Sequence, residues 1–260
     1  MNEKSFSHPL TPCAGARSLI GKAVAEFSMI RPGENIAAGV SGGKDSLYLL
    51  ACMADLRRRS PKPFSLSAIM VDISDGEIDT DILKRFCLDL EIPLTVIAHP
   101  VLDIIEKRRE ASPCSFCANM RGGILCSAAA EAGAGVVAMG HHLDDAVETV
   151  LLNLFFAGRF RCFSPCSWRS RSNIRVIRPL VFLEEKAIAG EAIRLKLPVT
   201  TIPCPHDPNS RRKHMKEMVT SLERSVPDIR SQVLHALRHV RASDVWGTDR
   251  DAAGRSAQQT

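Results

Sequence analysis

A chain of 260 residues with 45% hydrophobic residues can bury one sizeable core, which suits a single α/β domain with extensions and excludes two large independent ones. Nine cysteines without a disulfide-framework rhythm, no uninterrupted apolar core between Met1 and Arg31, and no run near the roughly 18 apolar residues of a spanning helix lead us to expect a cytoplasmic protein with reduced thiols and no membrane partner. The net charge of +5 is mild, but Ala157 to Val181 holds six arginines and no acid, which points to a polyanionic partner.

Along the chain, Ser18 to Met29 has helical spacing and stops at Arg31-Pro32-Gly33. Ile36 to Val40 is the apolar run of a buried strand, followed by a glycine loop and the helical pattern Leu47 to Leu56. Leu66 to Ile73 reads as strand, Thr80 to Leu90 as helix and Leu94 to Ala98 as strand. An irregular segment with Cys114 and Cys117 precedes a helix to about Glu131. Val136 to Met139 reads as strand and Asp144 to Phe156 as helix, and Arg175 to Leu180 and Pro198 to Ile202 are the last strand candidates.

Such alternation predicts a doubly wound α/β fold with a mostly parallel sheet of about five strands and ligands at the strands' carboxyl ends. The loops after Val40, Ile73 and Met139 are then the places for chemistry. The expected organisation is an N-terminal helical extension over 1–32, the main domain over 33–204, a basic helical segment over 205–242 and a disordered tail over 243–260, whose composition is polar and rich in small residues.

Ser41-Gly42-Gly43-Lys44-Asp45-Ser46 lies between the first strand and its helix, where unpaired N–H groups and the helix dipole favour an anion. The glycines admit phosphate oxygens close to the backbone, Ser41 and Ser46 offer hydroxyls, and Lys44 brings a mobile charge. The spacing departs from the Walker pattern. It resembles the signature of the PP-loop ATP pyrophosphatases, which split ATP between its α and β phosphates and usually adenylate a carbonyl or carboxylate. A tight turn before an ordinary capped helix is the plain alternative.

Gly140-His141-His142-Leu143-Asp144-Asp145 also follows an apolar strand and resembles the same family's element beside the ATP site. Val147, Val150, Leu151, Leu154 and Phe155 form one helical stripe, which leaves the acids near the helix N-terminus. Asp144 is expected as the N-cap and Asp145 as a Mg²⁺ ligand. Asp72, at the end of the second strand, is a candidate acceptor for the nucleotide's ribose or adenine.

Cys114-Ser115-Phe116-Cys117 places two thiols near enough to share a metal, and Cys204 sits in the proline-flanked Ile202-Pro203-Cys204-Pro205. On chemistry alone the pair suits a zinc half-site with a further ligand such as His206, a redox couple, or two unligated thiols. Cys162 and Cys166 form a C-x-x-x-C pair with no assigned ligand, and Cys52 and Cys87 read as buried helix thiols.

Taken in order, Cys114 to Arg121, Gly123-Ile124-Leu125, Gly140 to Asp145, Ile177-Arg178-Pro179-Leu180 and Ile202-Pro203-Cys204 resemble the tRNA 2-thiocytidine synthetase family from about Gly21 to Val240. The resemblance implies a sulfurtransferase that turns ATP into AMP and pyrophosphate, with Mg²⁺ and a 4Fe-4S cluster held by Cys114, Cys117 and Cys204. Those cysteines, with Lys44 and Asp45, are the implied catalytic residues, and the ATP site would comprise Ser41 to Ser46, Asp72, Gly140, His141 and Asp145. Three ligands on a four-iron cluster leave one iron open for a sulfide. A sulfur donor such as a cysteine desulfurase, tRNA, and a second copy of the chain are the implied partners. The chain departs from the family at Leu143, Glu148 and Gly122.

Lysidine and 2-thiouridine synthetases share the adenylation chemistry. The first needs no such cluster, and the second's terminal C-x-x-C pairs have no counterpart here. A nucleotide-dependent RNA-binding or metal-carrier module is the non-enzymatic reading. For tRNA, Arg159, Arg161, Arg169, Arg171 and Arg175 interleave with Phe160, Phe163 and Trp168, while Arg211, Arg212, Lys213 and Lys216 follow Cys204.

Overall fold

The computed structural model describes residues 10–76, 78–110, 112–200 and 211–241. Six strands form one sheet in the order β3-β2-β1-β4-β6-β5: β1 (Asn35–Val40), β2 (Ser65–Asp72), β3 (Leu94–Ala98), β4 (Val136–Ala138), β5 (Cys166–Arg169) and β6 (Ile174–Ile177). All neighbours are parallel except β5, which runs antiparallel to β6 with Cys166 opposite Ile177 and Arg169 opposite Ile174. The strand order reverses between β1 and β4, so their carboxyl ends flank the crevice where such sheets bind ligands.

The parallel strands are apolar on both faces because helices cover both. In β1, Ile36, Ala38 and Val40 face one core with α1 (Ala14–Glu26), α2 (Lys44–Arg59), α3 (Asp81–Asp89) and α7 (Glu185–Arg194). Ala37 faces the other core, with α4 (Val101–Arg108) and α5 (Pro113–Glu131). α6 (Leu143–Ala157) instead packs its Leu143 and Val147 against Val219 of α8 (Arg211–Glu223) and Ile229 and Val233 of α9 (Ile229–Arg238).

Several elements differ from expectation. Cys114 and Cys117 are not in an irregular segment but in the first turn of α5, which opens on Pro113, a residue preadapted to a first helical position. α4, β5 and α7 were not anticipated. The last paired strand ends at Ile177 instead of Leu180, and residues 198–200 form no strand. Residues 201–202, Cys204, His206 and 243–260 lie outside the described residues. Along α6, Val147 and Val150 are buried, whereas Leu154 and Phe155 are 45% and 55% exposed, so the apolar stripe is covered only over its first half.

Candidate functional site

The Ser41–Ser46 loop is built around the Ser46 hydroxyl. Its Oγ accepts from Ser41 N at 3.0 Å and from Ser41 Oγ at 3.2 Å, and donates to Gly43 O at 2.9 Å. α2 starts at Gly43 without a side-chain cap, leaving its N-terminal dipole facing the crevice. Gly42 has φ +76°, and any Cβ there would collide with the Thr200 hydroxyl; Thr200 N donates to Gly42 O at 3.0 Å. A Cβ on Gly140 would lie 3.1 Å from Asp45 O, so the two glycine motifs close on each other across β1 and β4.

His142, not Asp144, caps α6. Asp145 N donates to His142 Nδ1 at 3.4 Å and His142 N donates to Asp145 Oδ2 at 3.0 Å, a reciprocal box at the helix start. Asp144 instead ties two elements together, accepting from Glu185 N at 2.7 Å and from Arg230 Nε at 2.6 Å. Its side chain is 11% exposed and cross-links α6, α7 and α9. Asp145 keeps Oδ1 for Arg212 at 2.7 Å. The His141 ring lies 5.1 Å from that of Phe163, and burial, reinforced by Arg178, pushes its pKa down to about 4, so it is neutral near pH 7.

Asp45 Oδ1 is buried without a hydrogen-bond partner, 3.8 Å from His142 Nε2. An orphaned anionic oxygen of this kind in a crevice suits a cation. Lys44 Nζ lies 3.1 Å from Asp45 Oδ2 and 2.8 Å from Glu185 Oε1, and Glu185 Oε2 also takes Lys216 Nζ at 2.6 Å. Burial works to raise the Glu185 carboxyl, but hydrogen bonds from Lys216 and Lys44 outweigh it and hold its pKa at about 2.

Asp72 is buried at the end of β2, but its carboxylate is committed to its own loop. Oδ1 accepts from Ser74 N at 2.9 Å and Ser74 Oγ at 2.6 Å, and Oδ2 from Gly76 N at 3.0 Å. Burial raises its pKa, but these bonds prevail and the net shift is downward.

Two cavities meet at Asp45 and Asp145. The smaller, about 300 Å³, is lined by the Ser41–Ser46 loop, Met139, Gly140 and His141, and by Ala118, Arg121, Gly122 and Leu125 of α5. In the sequence Arg121 is only the last residue of the Cys114 to Arg121 motif; the fold brings it to this wall. Cys114, exposed, and Cys117, half-buried, lie i, i+3 on the turn preceding that wall, and are therefore helix-surface neighbours. Two thiols on one face at a helix N-terminus are a soft, anion-favouring donor pair that fits an iron–sulfur cluster. Thr200, anchored on Gly42, precedes Cys204 by four positions.

The larger cavity, about 710 Å³, lies between Asp45, Asp145, Glu148 and Glu185 on one side and Arg212, Lys216 and Arg224 of the C-terminal helical segment on the other. Burial pushes the Glu148 carboxyl up to about 7, although Arg212 Nη1 at 3.4 Å opposes this. A carboxyl raised in the fold contributes stability fully present below its unfolded pKa near 4.5 and lost as pH rises through about 7. We therefore expect Glu148→Gln to be more stable than the parent at pH 8 by about 1–3 kcal/mol and equal to it near pH 4, measured by denaturant unfolding. Equal stabilities at both pH values would contradict this.

The arginine-rich stretch does not stay together. Arg159 and Arg161 are exposed beyond α6, whose exposed Phe156 lies 4.8 Å from the Arg211 guanidinium. Exposed Arg169, Arg171 and Trp168 lie at the opposite, amino-terminal end of β6, because β5 runs antiparallel. Arg175 belongs to neither group: it pairs with Glu34 at 2.6 Å and donates to Met29 O at 3.2 Å, a structural role that corrects its expected RNA contact. Arg178 is buried 4.9 Å from the Phe163 ring. Among the described residues no helix is long and apolar enough to cross a membrane.

Residues 17–222 match a family model described as the PP-loop domain. The chain is 41% identical over 228 residues, 86% of its length and 85% of the relative's, to a tRNA-cytidine(32) 2-sulfurtransferase of Pelobacter propionicus. It is 38% identical over 86% of its length to the protein of that name from Geobacter sulfurreducens, covering 89% of it. Among solved structures it is similar in fold to the U34-tRNA thiolase NcsA from Methanococcus maripaludis, whose structure holds a 4Fe-4S cluster. That match has a TM-score of 0.71 and 22% identity over 90% of this chain and 82% of the other.

Proposed function

The chain belongs to the PP-loop domain family and, within it, to the tRNA-cytidine(32) 2-sulfurtransferases, and from that premise we propose that it replaces the C2 oxygen of a tRNA cytidine with sulfur at the expense of ATP. The observation that carries this reading is the shared cleft: the phosphate loop forms one wall, and the helix that begins with Cys114 and Cys117 forms the other.

The C2 carbonyl of a pyrimidine is amide-like, and its oxygen leaves only when converted to a better leaving group. The N–H groups at the start of α2 and Lys44 bind the β and γ phosphates and stabilise the charge that develops on them, in a loop whose shape the Ser41 and Ser46 hydroxyls hold. The base oxygen attacks the α phosphorus, the α–β bridging bond breaks and pyrophosphate leaves. A sulfide nucleophile then adds to C2, and AMP departs with the former carbonyl oxygen. Asp45 and Asp145 would hold a Mg²⁺, which supplies charge neutralisation at the phosphates. Cys114, Cys117 and Cys204 would hold a 4Fe-4S cluster, whose iron without a protein ligand provides a place for a soft sulfur donor.

In this scheme Gly140 and His141 shape the nucleotide wall, His141 as a neutral ring, and Asp72 acts through the loop it organises. Arg159, Arg161, Arg211 and Arg212 form the RNA surface on the cleft side, while Arg169 and Arg171 extend it to the far edge of the sheet. The protein works in the cytoplasm with a sulfur donor such as a cysteine desulfurase, as a homodimer, with residues 33–204 as the chemical core flanked by helical extensions.

Pyrophosphate release from ATP is expected to depend on unmodified tRNA and to fall about 10²–10³-fold in Lys44→Met, the loss typical of one transition-state charge contact. Release that ignores both the tRNA and Lys44 would exclude the assignment.

A further inference from the structure

The larger cavity separates two walls of opposite charge, and α8 bridges it at two points four residues apart. Arg212 Nη1 holds Asp145 Oδ1 at 2.7 Å, and Lys216 Nζ holds Glu185 Oε2 at 2.6 Å. α8 itself is fixed by apolar contacts: Met215 is 1% and Val219 3% exposed. The helix can thus keep its place while the two cations exchange partners.

The bridges do opposite work. Arg212 occupies the outward oxygen of Asp145, the carboxylate proposed above for Mg²⁺, whose other oxygen is committed to His142 N. Arg212 is also about half-exposed and follows Arg211 on the proposed RNA surface, so a nucleic-acid phosphate competes directly with Asp145 for it. Lys216 has another role. Glu185 binds both Lys44 and Lys216, so when Lys44 turns to a phosphate, Lys216 remains as counter-charge for a half-buried carboxylate.

We propose that α8 couples RNA binding to ATP binding through two residues of opposite effect: Arg212 withholds Asp145 until an RNA phosphate takes the guanidinium, and Lys216 holds Glu185 so that Lys44 is released to the ATP phosphates. The proposal rests on the reading of the cleft as an ATP and tRNA site. By linkage, tRNA raises the affinity for Mg-ATP by the same factor as Mg-ATP raises the affinity for tRNA. Because the cations of both bridges are about half-exposed, the factor is roughly two- to fivefold and shrinks with salt.

The test is calorimetric titration of α,β-methylene-ATP with MgCl₂ into the full chain, with and without saturating unmodified tRNA, for the parent, Arg212→Met, Arg212→Lys and Lys216→Met, each first shown to melt cooperatively near the parent temperature. The parent is expected to bind roughly two- to fivefold tighter with tRNA. Arg212→Met should bind that tightly without tRNA and gain nothing from it, Arg212→Lys should keep part of the response, and Lys216→Met should bind several-fold more weakly yet still respond. If both Met variants weaken binding alike, the cations merely attract ATP and the proposal is wrong. Equal parent affinity with and without tRNA also overturns it, while the ATP and tRNA site stands. A parent that binds neither ligand removes that site as well.

Discussion

Replacing Cys114 or Cys117 with Ala is expected to abolish sulfur insertion into tRNA and to strip the purified protein of iron, while leaving its secondary structure intact. Cys114 is exposed and Cys117 is half-buried at the rim of the second core near the start of α5, so their removal empties no fully buried volume. The apolar anchor of that helix is Leu125, Cys126 and Ala129, two to three turns further on. Cys204→Ala should have the same effect if it is the third ligand. Anaerobically purified parent should contain about four irons and four acid-labile sulfides per chain. Zinc in their place, unaffected by the three substitutions, would remove the cluster from the account and leave cluster-free adenylation.

Among the described glycines, Gly42→Ala should be the most damaging substitution. At φ +76° a side chain costs about 1–2 kcal/mol in backbone strain alone. The added Cβ also collides with the Thr200 hydroxyl, whose N–H is bonded to Gly42 O. The clash therefore has to move either the phosphate loop or the segment that leads to Cys204. A displacement of about 1 Å at a reacting centre costs on the order of 10²-fold in rate, so tRNA-dependent pyrophosphate release should fall by at least that much. Thr200→Ala in the same chain removes the clashing hydroxyl and should restore part of the activity. A Gly42→Ala enzyme with parental rates would mean that the loop does not approach phosphate through this glycine.

The strand–loop–helix geometry of Ser41–Ser46 was legible because everything it needs is contiguous: a buried strand, two glycines and a helix start lie within a dozen residues. The mostly parallel, doubly wound character of the sheet followed from the alternation of strands and helices, except at β5, whose Cys166-Ser167-Trp168-Arg169 carries little strand signal and pairs antiparallel with β6. Asp144 looked like a helix cap because Asp favours that position. The fold gave the cap to His142 and spent Asp144 on Glu185 and Arg230, partners 41 and 86 residues away. Glu185, Arg121 and Thr200 enter the site from distant segments, and no local pattern marks such convergence. The placement of the arginine stretch was not legible for the same reason: neighbours in sequence were divided between the cleft side, the far end of the sheet and, for Arg175 alone, an ion pair with Glu34.

The most direct measurement is nucleoside mass spectrometry of unmodified tRNA after anaerobic incubation with the iron-loaded protein, Mg-ATP and sulfide. The expected result is 2-thiocytidine formed in step with AMP and pyrophosphate, and none when ATP is omitted. Consumption of ATP with tRNA but without any thionucleoside, or a thiolated uridine in place of cytidine, would contradict it.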